Sequence, residues 1–149
     1  MSMEREHEEH HFVLKRQGLA LALIALILFV SGGGSGAPTV IASGTARAQT
    51  AAIPSLASIN NTSGDHVFSI GGDLDVTTLT LGTVTLRVAW TDWNGGAQTF
   101  TMATGNGVGP LPSNTLTLMS KASTNVTIQT TTAAFVGTYN VAGYIMLMR

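Results

Sequence analysis

Apolar and polar side chains alternate along much of the chain after residue 48, with the two-residue period of β-strands. The clearest case is residues 83–90, where every second side chain on one face is apolar and the last of them is Trp90. Residues 91–96 follow with an Asn-Gly pair, a strong turn signal because both residue types tolerate positive φ. We therefore predict a hairpin whose second strand is 97–103, with Phe100 and Met102 on its inner face.

Further short strands are predicted between turn residues. They are 53–59, 66–70, 74–81, 115–120, 125–131 and 138–148, with a turn at Gly71-Gly72-Asp73 and a loop at 105–112. No stretch of this region has a convincing apolar period of 3.6 residues. Seven or eight short strands in about 100 residues predict one all-β domain, an antiparallel β-sandwich of jelly-roll-like form.

Residues 1–48 have a different pattern, which predicts an export segment. An uninterrupted apolar run covers 18–30 and is shorter than the roughly 20 residues that span a bilayer. Lys15 and Arg16 precede this run, and a small-x-small site follows at Ala46-Arg47-Ala48. We expect a signal-like helix, cleavage between Ala48 and Gln49, and a β-sandwich domain over 49–149. The alternative is a membrane anchor that is not cleaved.

The predicted last strand is apolar on both faces. A sheet with one face in water alternates with polar residues, so a second apolar face needs a cover. Tyr144, Met146 and Met148 share the side opposite Ile145 and Leu147. We therefore predict that these three residues form an interface with another subunit or a surface partner. The alternative is a cover from within the chain, by residues 53–59.

Composition excludes several kinds of function. The formal net charge is −1 and only 10% of the residues are charged, so no electrostatic field favours nucleic acid or an anionic membrane. The absence of Cys excludes disulfides and thiolate metal sites. After residue 48 the chain has one His and no Glu, and Asp65 and His66 are adjacent on a predicted strand and point to opposite faces. We expect no enzymatic activity and no cofactor.

Two groups of side chains have metal-binding chemistry, and neither predicts a metal site. His7, His10 and His11 have suitable spacing but lie in the segment expected to be removed or disordered. Asp73 and Asp75 could share one face, but a Ca²⁺ site needs six to eight oxygens and two carboxylates are a poor start.

The turn of the predicted hairpin contains the two candidates for ligand binding. Asp92 is expected to cap the turn through its own backbone. Trp93 lies in the turn, where an exposed aromatic ring can stack on a sugar or dock a partner. The alternative for Trp93 is packing across the hairpin.

A resemblance to known proteins is carried by four segments. Residues 88–92 (VAWTD), 97–101 (AQTFT), 125–132 (NVTIQTTT) and 137–141 (GTYNV) are similar to a pattern in small uncharacterised proteins of phage virions and bacterial genomes. The resemblance covers residues 65–149. It implies a jelly-roll-like β-sandwich, often oligomeric, with a structural or surface role and no catalytic residues.

The sequence therefore predicts an exported, non-enzymatic β-sandwich protein with a structural, assembly or surface-contact role. It is expected to be secreted or at the cell surface, and periplasmic if the host is Gram-negative. The expected partners are further copies of the chain or a surface partner. No binding of nucleic acid is expected, and only the N-terminal segment is expected to contact a membrane. The alternative function is a carbohydrate- or ligand-binding module, and a small hydrolase comes third.

Overall fold

The described secondary structure consists of six antiparallel strands. The computed structural model describes residues 37–62 and 64–148, so the predicted N-terminal helix and the three His residues at 7, 10 and 11 lie outside the described residues. Within this part of the chain no helix occurs. The strands are β1 (Thr39–Gln49), β2 (Ala57–Asn61), β3 (His66–Thr91), β4 (Ala97–Gly105), β5 (Gly109–Ser120) and β6 (Thr124–Met148).

The two longest strands organise the fold, because β3 and β6 pair with each other at 20 positions. The first half of β3 also pairs with β5, and the second half of β6 also pairs with β1. These four segments form layer 1, in the order β1, β6, β3, β5. The second half of β3 pairs with β4, and the first half of β6 pairs with β2. These form layer 2, in the order β2, β6, β3, β4, so that each layer has four antiparallel strands.

The layers are joined where β3 and β6 bend together. Three register shifts interrupt their pairing between Val76 and Thr83. Gly82 and Ala134 have φ values of 82° and 48° there, a region that favours glycine. A Cβ on Gly82 would overlap the carbonyl oxygen of Ala134, so the two strands approach too closely at the bend for a side chain. Both strands thereby pass from one layer into the other.

The inner faces of both layers pack into one core, which makes the fold a β-sandwich. Tyr139 is 0% exposed on layer 1, and its hydroxyl bonds to Thr130 of layer 2. A Cβ on Gly143 of layer 1 would lie 3.0 Å from Cδ1 of Ile128 in layer 2. The remaining fully buried side chains come from both layers: Phe68, Ile70, Leu74, Val76, Val84, Leu86, Met102, Val88, Val126 and Ile145. The connectivity and the layer order are those of a jelly roll.

The prediction of a turn at Gly71-Gly72-Asp73 is wrong, because these residues continue β3. The two glycines are needed for close packing instead. The ring of Tyr144 lies over Gly71, where a Cβ would overlap it. A Cβ on Gly72, which faces the core, would lie 3.0 Å from Cδ2 of Leu86. The predicted strands 66–70, 74–81 and 83–90 are therefore one strand, and 125–131 and 138–148 are likewise one strand.

The predicted hairpin of β3 and β4 is present, with one change on its inner face. Phe100 pairs with Val88 and so shares the inner face, but it is 40% exposed because β4 lies at the edge of layer 2. A register shift at Met102 then places both Met102 and Ala103 in the core. Trp90, the last residue of the apolar face predicted for 83–90, is half-buried and packs against the core.

Two strands extend into segments predicted otherwise. β5 begins at Gly109 and includes Pro110 and Pro112, in a stretch predicted as a loop. β5 pairs within layer 1 only with β3, and an edge strand tolerates proline because its outer backbone needs no donor. β1 begins at Thr39, inside the segment predicted to be an export signal. The strand was not predicted because its many small side chains give only a weak strand pattern.

Candidate interaction surfaces

An apolar surface covers one half of the outer face of layer 1. The register places Met148 beside Val67, and Val67 beside Met119. It also places Met146 beside Val40. Residues paired across antiparallel strands share a face, so these side chains lie on one surface, with the buried Ser69 beside Met146 as a polar neighbour. We call it the apolar patch, and its members are Val40, Val67, Met119, Tyr144, Met146 and Met148.

The three predicted interface residues all belong to this patch. Tyr144 and Met146 are half-buried and Met148 is exposed, while Ile145 between them is fully buried in the core. The alternation of faces predicted for this strand is therefore present. The role of Tyr144, Met146 and Met148 as an interface stays a prediction.

The segment considered as an internal cover lies elsewhere. Leu56 donates its backbone N–H to the carbonyl of Ile128 at 2.8 Å, and Thr130 donates to the carbonyl of Ile53 at 2.8 Å. Residues 53–59 therefore run along the edge of layer 2, on the opposite side of the sandwich. Within the apolar patch, the side chains of Val40 and Met119 are 56% and 45% exposed, so residues 53–59 do not cover them.

The other half of the same face is polar. Asp73, Asp75, Asn140 and Arg47 line a shallow depression of about 290 Å³. Asn140 donates its Nδ2 to Oδ2 of Asp75 at 3.4 Å and accepts the backbone N–H of Ala48 on its Oδ1 at 3.0 Å. No group of three or more His, Asp or Glu side chains in the described part of the chain could hold a metal ion.

The predicted cleavage residues lie at the end of β1. Residues 39–49 pair with β6 at eight positions, and Ala42 and Ala46 pack against the core. Gln49 is the last residue of the strand and pairs with Tyr139. A cut between Ala48 and Gln49 would therefore remove nearly all of β1 and expose the edge of β6.

The carboxylate of Asp92 caps the turn between β3 and β4, as predicted. Oδ1 of Asp92 accepts the backbone N–H of Gly96 at 2.8 Å, and Oδ2 accepts Nε2 of Gln98 at 2.9 Å. The hydrogen bond from Gly96, followed by that from Gln98, holds the pKa of Asp92 below its usual value. Trp93, on this turn, is 60% exposed. The structure thus places an exposed aromatic ring on a fixed loop, and the ligand role of Asp92 and Trp93 stays a prediction.

Asp65 and His66 have separate structural roles. Oδ1 of Asp65 accepts the backbone N–H of Ala122 at 3.0 Å. The His66 ring meets the ring of Phe68 edge to face, with centroids 6.2 Å apart. Asp65 is thereby engaged with the loop after β5, and no contact joins it to the imidazole among the described residues.

The outer face of layer 2 is polar and carries one charge. Thr85 pairs with Thr104 and Thr131, and Arg87 pairs with Thr101 and Gln129. We call it the threonine face, and it comprises Ser58, Thr85, Arg87, Ala89, Thr99, Thr101, Thr104, Asn125, Thr127, Gln129 and Thr131. The acidic residues of the described chain, Asp65, Asp73, Asp75 and Asp92, lie in loops or in layer 1. The sequence shows the alternation in β3, but the convergence of Arg87 and Gln129 depends on the register between distant strands.

No protein-family model matches this chain, and no curated protein is significantly similar to it. Three solved structures show a loose likeness. A structure of the Gx strain of infectious bursal disease virus is 16% identical with a TM-score of 0.37, covering 74% of this chain and 32% of that chain. The globular domain of zebrafish complement 1qA is 12% identical with a TM-score of 0.44, and the match covers 72% of this chain and 96% of that chain. The capsid structure of Helicobacter pylori bacteriophage KHP30 is 10% identical with a TM-score of 0.42, and the match covers 74% of this chain and 87% of that chain.

The resemblance to proteins of phage virions is thus a loose likeness, and the assignment of a β-sandwich depends on the strand pairing and the core of this chain itself. This chain spans about a third of the length of the bursal disease virus chain. In the part of the chain that the structure describes, no helix is long and apolar enough to cross a membrane.

Proposed function

We propose that this protein is an exported, non-enzymatic β-sandwich with a structural role, in which copies of the chain assemble through the apolar patch. The observation that carries the proposal is the chemical contrast on the outer face of layer 1. One half of this face is apolar around Met146, and the other half contains Asp73, Asp75 and Arg47.

The energetics favour a cover over the patch. Fully burying a Met or Val side chain is worth roughly 1.5–3 kcal/mol, and a domain of this size is stable by only about 5–15 kcal/mol. The patch contains no charged side chain, so two copies can meet there without like-charge repulsion. A two-fold axis through the patch, in the plane of the interface and perpendicular to the strands, would place the acidic ends of the two copies away from each other.

A double substitution tests this assembly. Met146→Thr with Met148→Thr removes apolar area and keeps strand propensity, so we expect the oligomer to dissociate on a sizing column while the β-type circular dichroism is retained. The matched control is Val108→Thr with Val136→Thr, two exposed apolar residues outside the patch. An oligomer that persists in the first variant, or that dissociates equally in the control, would contradict the assembly proposal.

The export proposal concerns the first 48 residues. The apolar run at 18–30 and the basic pair before it support a secretory signal. Because a cut after Ala48 would remove nearly all of β1, we propose that the exported chain is cut before Thr39. N-terminal sequencing of the protein recovered outside the cytoplasm is expected to give a start upstream of Thr39. A start at Gln49 would mean that the mature fold lacks β1, and a start at Met1 or Ser2 would indicate an uncleaved anchor.

The non-enzymatic part of the proposal is supported by the separation of the chemically active side chains. Asp65 binds a backbone amide and His66 contacts an aromatic ring. A second candidate function, a carbohydrate- or ligand-binding module, is supported by the exposed ring of Trp93 on the turn that Asp92 fixes. Substitution of Trp93 is included in the binding experiment below.

A further inference from the structure

The threonine face has one positively charged group, the guanidinium of Arg87, which is oriented by a neighbouring side chain and has N–H donors that are not used by the described residues. The side-chain amide of Gln129 is oriented to bond both Arg87 and Pro54. Its Oε1 accepts hydrogen bonds from Nε and Nη2 of Arg87, at 2.8 and 3.1 Å. The Nε2 of Gln129 donates to the carbonyl of Pro54 at 3.3 Å, which fixes the amide in turn. A guanidinium has five N–H donors, so three remain without a partner among the described residues.

The surroundings of Arg87 contain hydroxyl groups and no carboxylate. Thr101 lies directly across from Arg87 on β4, and Thr85 and Thr131 lie one step along the same face. Directly opposed side chains have Cβ atoms about 4.5–5.5 Å apart, so these hydroxyls are within reach of a ligand held by the guanidinium. Each hydroxyl can both donate and accept a hydrogen bond.

We propose that the threonine face binds an acidic saccharide, with a uronate-type carboxylate on Arg87 and sugar hydroxyls on the neighbouring threonines. Arginine binds carboxylates through two parallel N–H donors, and the contact with Gln129 orients the guanidinium in advance. The alternating donors and acceptors of sugar hydroxyls match the rows of Thr, Asn and Gln side chains.

Other classes of ligand fit this face less well. Peptide recognition uses pockets for apolar side chains, and the apolar residue on this face is the small Ala89. Nucleic acid binding requires several cations along a phosphate backbone, and this face has one. The site is on the layer opposite to the apolar patch, so it does not depend on the assembly proposal. It is also distinct from the Trp93 turn of the second candidate function.

Titration of the full chain with an octameric galacturonate, at roughly 0.15 M salt to screen the net charge, tests the proposal. We expect binding by the wild type and affinity about tenfold or more weaker in Arg87→Gln, since a charge-assisted hydrogen-bonded pair is lost. Arg47→Gln removes the same charge from the opposite layer and is expected to leave affinity unchanged. Trp93→Ala is also expected to leave it unchanged. Thr101→Val, which keeps the side-chain shape, is expected to weaken binding while retaining the fold.

Several results would overturn the proposal. They are the absence of binding by the wild type, equal losses in Arg87→Gln and Arg47→Gln, or unchanged affinity in both Arg87→Gln and Thr101→Val. Equal binding of a neutral maltooligosaccharide would exclude recognition of the carboxylate, and tighter binding of polyphosphate would exclude a saccharide site. A loss confined to Trp93→Ala would assign binding to the turn and support the second candidate function instead.

Discussion

Substitution of Tyr139 by Ala is expected to reduce the free energy of unfolding by about 3–5 kcal/mol, the usual cost of deleting a large buried aromatic side chain. Tyr139 is 0% exposed and packs edge to face against Phe135, with ring centroids 5.7 Å apart. Its hydroxyl also completes a chain of hydrogen bonds that joins the two layers. Urea unfolding at a fixed protein concentration, followed by circular dichroism, measures the change. A loss below about 1 kcal/mol, the range of ordinary surface sites, would contradict the assignment of Tyr139 to the core.

Tyr139→Phe separates the ring from the hydroxyl. The Tyr139 hydroxyl donates to the carbonyl of Ala51 at 2.6 Å and bonds to Oγ1 of Thr130 at 2.7 Å. Thr130 in turn accepts the backbone N–H of Ile53 at 2.8 Å. Removing the hydroxyl leaves buried or half-buried polar groups without a partner, so we expect a loss of about 1–3 kcal/mol.

The same pair of variants gives a pH dependence. Burial raises the pKa of Tyr139, and the hydrogen bond with Thr130 partly opposes this. The folded state therefore holds the proton more tightly than the unfolded state, whose tyrosine pKa is about 10. This contribution to stability is complete below pH ~10 and is lost as the pH rises towards the higher folded pKa. As the pH is raised above about 10, we expect the stability of Tyr139→Phe to fall less than that of the wild type.

Gly44→Ala is the second substitution with a large expected effect, because it tests whether β1 belongs to the domain. A Cβ on Gly44 would overlap the backbone carbonyl oxygen of Leu56, which belongs to the segment that crosses from β1 to β2. Backbone cannot move aside as a flexible side chain can, so we expect a loss of about 1–3 kcal/mol, typical of overpacking. In a domain of about 100 residues this lowers the melting temperature by several degrees per kcal/mol.

Gly107→Ala is the matched control, since a Cβ there would meet nothing within 4 Å. We expect its free energy of unfolding to stay within about 0.5 kcal/mol of the wild type, as at ordinary surface sites. A neutral Gly44→Ala in the exported protein would show that the mature fold does not use β1. This outcome would agree with a cut after Ala48 and contradict the proposed cut before Thr39.

The local alternation of side chains was sufficient to predict the fold class and several faces. Val84, Leu86 and Val88 on the predicted apolar face are buried, and Asp92 caps the turn that follows. The face that holds Tyr144 and Met146 is opposite to Ile145, as the two-residue period requires. These features depend on neighbours in sequence, where the period of a strand acts directly.

Features that depend on long-range packing were not predictable in this way. Gly71 and Gly72 resemble a turn in sequence. That they leave room for Tyr144 and Leu86 follows only from the register of β3 against β6 and the packing of the two layers. β1 was hidden by its resemblance to the end of an export signal, since small residues serve both a cleavage site and a closely packed edge strand. Gln129 and Arg87 are likewise 42 positions apart and meet through strand pairing.

The molecular mass of the purified wild-type protein over a range of concentrations, measured by light scattering, tests the central proposal most directly. The proposal predicts a mass that is a multiple of one chain, because the patch around Tyr144, Met146 and Met148 is covered by a second copy. A mass equal to one chain at every concentration would contradict assembly through this face.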